Sequence, residues 1–451
     1  MSDDAGVTRP SLLPPLPMLR RLIAQVIVDA EEQGHAVDGM TARLDAAPDS
    51  YDALLGVAEQ VADLPLRPDW PYDEPDSEGA LARVLPPVPP QPYDAVDVTA
   101  RVRTSVLARV AGCVLGKPFE SDPTLEEMRA WLEPHGEWPL SDYVSEAAHA
   151  GLPRPQPQWA QLVRERITHV AEDDDLAYTA LAMTLLERHG RRFTAADVRR
   201  LWHYELPVRA TFGPERVQLV AVAVAALLGD ESLDGPGWGE LLNPTAEWCG
   251  ALIRADAYGW ACPGDPAAAA VLARRDAWVT HRRTGVYAAG FVAAAVAAAL
   301  VCDPQDRLLP LEVGLAQVPP QSRLAAALRT SLEAVSGATS WLEGYDRVHS
   351  HFARYTHCRV YQELGTLAVT LRFAESVGHG IGLQVCMGND TDSFGATAGA
   401  LLGALLGPDS FDEARWVAPF QDTLHLPLAM HHDTSLERFA QRAAGLAAAR
   451  P

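Results

Sequence analysis

The turn Gly388-Asn389-Asp390-Thr391-Asp392-Ser393, followed by glycines at 395, 399, 403 and 407, constrains this chain more than any other stretch. Glycine costs a helix interior about 1 kcal/mol relative to alanine. A row of glycines at i, i+4 spacing is tolerable when a second helix lies backbone-to-backbone along it. The row therefore predicts a tight helix pair in the core, with the acidic turn fixed rigidly at one end. Asp390 and Asp392 stand two apart, so a helix would point them away from each other, and an extended turn would bring them together. Two carboxylates gathered in that way suit one or two hard cations bound through oxygen. Ser393 reads as the helix N-cap, its hydroxyl free either to cap or to ligate. A capped acidic turn ahead of a core helix would also account for this stretch alone, and a second acidic cluster moves the reading toward metal.

That cluster is Glu172-Asp173-Asp174-Asp175, just ahead of the apolar run beginning at Leu176. Carboxylates at a helix N-terminus are favoured by the helix dipole, each by roughly 0.3–1 kcal/mol. One or two would satisfy it. Four in a row repel one another, and few basic residues lie nearby in sequence, which makes a divalent cation the economical counter-charge. Two acidic clusters, each opening a helix, predict a two-metal site. A third segment, Gly112 to Glu120, carries a second small-residue stripe (Ala108, Gly112, Gly116) and stops before Pro118. Glu120 then falls on a loop, where it can act as acid, base or ligand, although a lone loop glutamate is ordinarily a surface residue. A fourth segment holds Arg254 and Asp256, which read equally well as a structural pair. It leads to Thr280-His281, with the histidine closing a helix.

Helical periodicity recurs through most of the chain. Helices are predicted at 98–115, 124–132, 159–170, 176–189, 195–204, 216–228, 248–258, 266–281, 287–301, 322–336, 360–377, 394–406 and 436–449. Alternating strand patterns are scarce, so the fold class is all-α, a compact orthogonal or mixed helical bundle. Residues 1–63 read as a small helical N-terminal extension, 64–96 as a proline-rich linker docking on the main domain, and 97–451 as that main helical domain. The balance of 37 basic and 59 acidic residues, a formal charge of −22, argues against general affinity for nucleic acid or anionic membranes. Lys117 is the only lysine, which reads as coding bias. The alanine-rich run 286–301 is shorter than the ~20 residues a membrane span needs. Residues 1–10 are polar and acidic, unlike a secretion signal. The six cysteines show no CxxC pair and no zinc-like spacing. They read as reduced, mostly buried thiols of a cytoplasmic protein.

Taken in order, the four segments resemble the ADP-ribosylglycohydrolases. The family's Gly-Asp-Thr-Asp-Thr turn is similar to 388–393, its Gly-Asp-Ala-Leu-Gly-x-Pro-x-Glu segment to 112–120, its Thr-Asp-Asp motif to the cluster before Leu176, and its Ser/Thr-His before a glycine to Thr280-His281 with Gly285. The resemblance spans roughly residues 97–430. It implies an all-α enzyme that binds two magnesium (or manganese) ions and cleaves ADP-ribose from a protein side chain or small molecule. By the same resemblance Asp390, Asp392 and Ser393 would be metal ligands, Glu120 the catalytic glutamate, and His281, Asp256 and Gly388 substrate contacts. The first metal motif aligns on Asp173-Asp174-Asp175, the preferred register, or on Glu172-Asp173-Asp174. Two departures stand out: a carboxylate replaces the usual threonine ligand, and Cys113 replaces an aspartate. A catalytically weak ADP-ribose-binding protein on the same fold is the alternative. A prenyl-diphosphate cyclase fits less well, since Thr397 stands where that family's final metal-binding glutamate belongs.

Overall fold

The computed structural model describes residues 14–92, 97–154, 157–227, 229, 241–355 and 357–448. The reading of residues 1–10, the last four linker positions (93–96), and the ends at 228 and 449 of two expected helices lie outside the described residues. Among the described residues the secondary structure is helical, with three isolated bridges and no strand. The all-α expectation holds.

The chain divides into two compact units, residues 1–71 with 213–246, and residues 72–212 with 247–451. In the smaller unit, Leu16–Glu32, Met40–Ala46 and Tyr51–Ala62 bury Leu19, Ile23, Ile27, Leu44, Leu54 and Ala58 with Leu242. Ser50 caps the third of these helices by accepting from the Ala53 amide at 3.3 Å. Gly34, at φ +89°, has the Trp70 ring where a Cβ would stand. The Gly213–Leu227 helix belongs to this unit although it falls far along the chain.

The larger unit is built on the predicted helix pair. Val98–Gly116 lies against Thr391–Leu406, and both are buried over most of their length. The fit is backbone to backbone: a Cβ on Gly395 would come within 2.5 Å of the Gly112 carbonyl oxygen, and one on Gly403 within 2.7 Å of Ser105 Cα. Gly399 meets the Ala108 carbonyl in the same way, and Gly116 the Thr391 carbonyl. The alanine-rich run is a buried helix, Arg283–Ala299. No helix among the described residues is long and apolar enough to cross a membrane. Within the larger unit, the segment from Tyr72 onward is tied down by Asp73 N–H to the Gln321 carbonyl (3.1 Å) and by Gln91 N–H to the Gly264 carbonyl (2.6 Å).

Several expected helices break where tertiary partners claim the backbone. The 159–170 helix reduces to a 3₁₀ turn, Pro157–Leu162, because Arg164 N–H donates to Val144 and Val170 N–H to Thr423. The 248–258 helix splits into Cys249–Arg254 and Asp256–Trp260, as side chains of Arg254 and Arg109 take the Gly250 and Ile253 carbonyls. The 360–377 helix ends at Phe373, and a new one, Val377–Cys386, starts under a Ser376 cap. The helices Leu309–Leu315 and Trp341–Phe352 were not expected from periodicity.

Candidate functional site

Two consecutive left-handed residues, Gly388 at φ +79° and Asn389 at φ +60°, reverse the chain ahead of the central helix. Asn389 N–H donates to the Pro123 carbonyl (2.8 Å), and that same carbonyl leaves no space for a Cβ on Gly388. The helix begins at Thr391, three residues earlier than a Ser393 cap would require, with Asp390 at the N-cap position. Thr391 Oγ1 donates to the Gly116 carbonyl at 2.9 Å. The turn is thereby pinned to the end of Val98–Gly116. Ser393 does not cap: its hydroxyl donates to Asp175 Oδ2 across the site at 3.0 Å. Asp392, in the first helical turn, still converges with Asp390, because Asp390 sits on the non-helical side of the boundary.

The second cluster opens the helix Asp174–His189, with Asp173 as N-cap accepting from Asp175 N–H at 2.9 Å. Asp173 and Asp175 are buried, Asp174 is half-buried and Glu172 is exposed. Their counter-charges come from the far-off helix Val98–Gly116 and the turn behind it, not from neighbours in sequence. Lys117 Nζ stands 2.7 Å from Asp173 Oδ2, 2.7 Å from Asp392 Oδ2 and 2.9 Å from Glu120 Oε2. Composition made the sole lysine look incidental, yet it is 6% exposed and bridges three predicted site residues. Burial pulls its pKa down, but the surrounding Asp173, Asp392 and Glu120 drive it well above the ordinary lysine value. Burial likewise acts to raise Asp392, and the Lys117 ammonium overcomes it, leaving that carboxyl below its usual range. Burial and repulsion from Asp392 push Glu120 up to about 8 against the opposing pull of Lys117.

Arg109 forms a second bridge. Its guanidinium lies 2.8 Å from Asp256 Oδ2 and 3.6 Å from Asp175 Oδ1, and donates to the Asp175 carbonyl at 2.9 Å. Asp256 is thus buried beneath the cluster and pairs with Arg109, not with Arg254. Arg254 instead pairs with Asp276 at 2.9 Å and stacks over Trp202 at 4.6 Å. His281 lies beyond the end of the Pro266–Ala277 helix, fully buried, and its Nε2 accepts from Ala251 N–H at 3.2 Å. Burial, then Arg254 and Arg282, holds its pKa well below the ordinary value, so the ring is neutral.

Two cysteines from separate segments meet the acidic turn at one carboxylate oxygen. Cys249 Sγ lies 3.4 Å and Cys358 Sγ 3.7 Å from Asp390 Oδ2. Buried Glu363 accepts from Asp390 N–H through Oε1 at 3.0 Å, and its Oε2 has no hydrogen-bond partner among the described residues. Asp392 Oδ1 has none either. Among the described residues, two groups of side chains are close enough to hold a metal ion: Cys249 with Cys358 and Asp390, and Cys113 with Asp173 and Asp175.

The structure therefore gathers Glu120, Asp173, Asp175, Asp390, Asp392 and Ser393 about Lys117 and Arg109. Asp174 sits at the rim, Gly388 serves the backbone turn, and Asp256 and His281 pack behind. Sequence reasoning missed Lys117, Arg109, Cys249, Cys358 and Glu363. For Lys117 a signal existed, a lone lysine inside the 112–120 motif. The pair Cys249 and Cys358 stands 109 residues apart in the sequence, with no local pattern to read.

A profile of the ADP-ribosylglycohydrolases matches residues 94–450. A solved structure described as an "ADP-ribosylglycohydrolase-related protein complex" is 19% identical, with a TM-score of 0.48, over 78% of this chain and 98% of its own. No curated protein matches.

Proposed function

The chain belongs to the ADP-ribosylglycohydrolase family, and on that footing we propose that it is a metal-dependent hydrolase. The bond it cleaves is an N- or O-glycosidic bond of ADP-ribose attached to a protein side chain or small molecule. The observation that carries this is the convergence of three distant acidic segments, at 120, 173–175 and 390–393, into one largely buried cluster. The oxygen donors Asp173, Asp174, Asp175, Asp390, Asp392 and Ser393 fit hard cations, magnesium or manganese, two in number as the family resemblance implies. Buried Asp392 Oδ1, without a hydrogen-bond partner among the described residues, fits such a ligand role. The inward-facing register Asp173 to Asp175, with Glu172 exposed, supports the preferred alignment of the first motif. We keep as a proposal the extension 1–63, the linker 64–96 and the catalytic stretch 97–451, within which residues 213–246 fall in the smaller compact unit.

When bound, the cations supply orientation of ribose hydroxyls and acidification of a water. The Glu120 side chain is 42% exposed and stands at the edge of the cluster. Burial and Asp392 push its carboxyl up to about 8, which suits a group acting as acid toward the departing group or as base toward water. The buried aspartates stabilise positive charge developing at the anomeric carbon. Asp256 acts indirectly, by fixing Arg109 and through it Asp175. His281, neutral and tied to Ala251, holds the wall that carries Cys249.

The alternative, an ADP-ribose-binding protein with weak turnover, is favoured by one observation: Lys117 already stands among the carboxylates where a cation would bind. One experiment separates the two. ADP-ribose is titrated calorimetrically with magnesium and after chelation, and release of ADP-ribose from arginine-, serine- and acetyl-linked conjugates is followed in parallel. Metal-dependent binding with turnover supports the hydrolase. Equal binding in both conditions without turnover supports the binding protein.

A further inference from the structure

We infer that Cys249, Cys358 and Asp390 form a site for one borderline-soft divalent cation of the zinc class. This goes beyond the hydrolase reading by assigning a different metal chemistry to the Asp390 end of the same cluster.

The three donors come from three separate segments. Cys249 opens the Cys249–Arg254 turn, Cys358 precedes the Val360–Phe373 helix, and Asp390 caps Thr391–Leu406. Their candidate ligand atoms all lie within 4.8 Å of one another. A tetrahedral ion with metal–sulfur bonds of about 2.3 Å and a metal–oxygen bond of about 2.1 Å requires sulfur–oxygen separations of about 3.6 Å. The two observed separations, 3.4 and 3.7 Å, bracket that value before any ion has drawn the donors together. Cys358 is also held at φ +63°, a left-handed conformation that side chains rarely adopt and that local structure must over-determine.

The surroundings fit a ligand as well. Glu363, 2% exposed, orients the turn by accepting the Asp390 amide through Oε1. Its other oxygen is buried beside this group without a hydrogen-bond partner among the described residues. Three protein donors leave a fourth position open for water or a substrate oxygen, the arrangement of catalytic rather than structural zinc sites. Thiol donors have little affinity for magnesium and favour zinc, cobalt or other late divalent metals. Sulfur ligates as thiolate, so any proton a cysteine still carries is released to solvent as the ion binds.

Cobalt(II) is the probe, added to the reduced full-length chain after chelation and without ADP-ribose. The expected result is a thiolate-to-cobalt charge-transfer absorption that saturates at one equivalent. Zinc displaces it stoichiometrically and excess magnesium does not. Cys249→Ser and Cys358→Ser should each weaken cobalt binding by about tenfold or more, and the double variant should lose the band. In the unmodified protein, one equivalent of zinc should protect Cys249 and Cys358 from alkylation, mapped by mass spectrometry; this readout needs no variant to fold. Cobalt binding without the band, a band that survives in the double variant, or unprotected thiols would overturn the inference. Loss of this inference leaves magnesium-dependent ADP-ribose release untouched. A band without any such release sinks the hydrolase reading alone.

Discussion

Replacing Lys117 by methionine removes the ammonium that joins Asp173, Asp392 and Glu120 while keeping most of the side-chain volume. Deleting one partner of a buried ion pair strands the other charge, and such losses run at about 3–5 kcal/mol. Lys117 is 6% exposed, so solvent screens little of that cost. For a unit of about 350 residues, unfolding entropy of about 2.1 cal/mol/K per residue converts 3–5 kcal/mol into roughly 4–7 °C of melting temperature. A divalent cation held at a hundred times its dissociation constant returns about 2.7 kcal/mol. The assay is thermal unfolding of both proteins in chelator and in excess magnesium or manganese. Lys117→Met should melt several degrees below the unmodified protein in chelator and close most of that gap when a cation is added. The unmodified protein should gain less from the same cation, because its ammonium must be displaced first. Equal melting of the two proteins in chelator, or equal gains with metal, would refute the view that Lys117 and a cation compete for these carboxylates.

Three further outcomes follow from the geometry. Glu120→Gln should lower ADP-ribose release by a hundredfold or so, as loss of a general acid does, while calorimetric affinity for ADP-ribose changes little. Gly399→Ala should destabilise by about 1–3 kcal/mol, since the new methyl meets the Ala108 backbone and its helix-propensity gain of about 1 kcal/mol cannot offset the clash. Gly56→Ala, with nothing within 4 Å of its Cβ, should instead stabilise, and urea midpoints of the two variants check the pair. Burial of His281 as a neutral ring means that the unfolded chain binds a proton the folded chain refuses once pH falls below about 6.5. Stability is then unaffected above that pH and falls by about 1.4 kcal/mol per unit below it. His281→Gln should flatten that slope in urea titrations between pH 5 and 8.

The glycine rows at 395, 399 and 403, and at 112 and 116, made the central helix pair legible, because a missing Cβ is written in the sequence and has few uses inside a helix. The acidic turns were legible for a related reason: clustered like charges demand a neutralising partner. What could not be read was the identity of that partner. Lys117 and Arg109 lie far from residues 173–175 in sequence, and only the fold brings them within 2.7 and 3.6 Å. The start of the 391–406 helix was misplaced by three residues for a comparable reason. Ser393 has the chemistry of a cap, but Asp175, contributed by another segment, takes its hydroxyl. Helix breaks at 163–170 and 255 follow from distant carbonyls and guanidinium groups, which periodicity does not register.

The cluster is electrostatically lopsided, and this sets an order in which cations should load. Asp173, Asp175, Asp390, Asp392, Glu120 and Glu363 gather about Lys117 and Arg109, and Arg109 is shared with Asp256. The carboxylates outnumber the fixed positive charges, so burial and mutual repulsion push Asp175, Asp390 and Glu363 well above their ordinary pKa values. Divalent cations relieve the same imbalance that protons otherwise must. At the Asp173–Asp392 end an incoming ion has to expel an ammonium held at 2.7 Å from each carboxylate. At the Asp390 end it meets the Cys249 and Cys358 sulfurs and the Glu363 carboxylate, donors whose protons it can displace. The first equivalent should therefore bind at Asp390, and the second should bind more weakly beside Lys117. Competition calorimetry resolves the two steps: Lys117→Met should tighten the weak step and leave the strong one unchanged, and tightening of both together would show that the two ends behave as a single site.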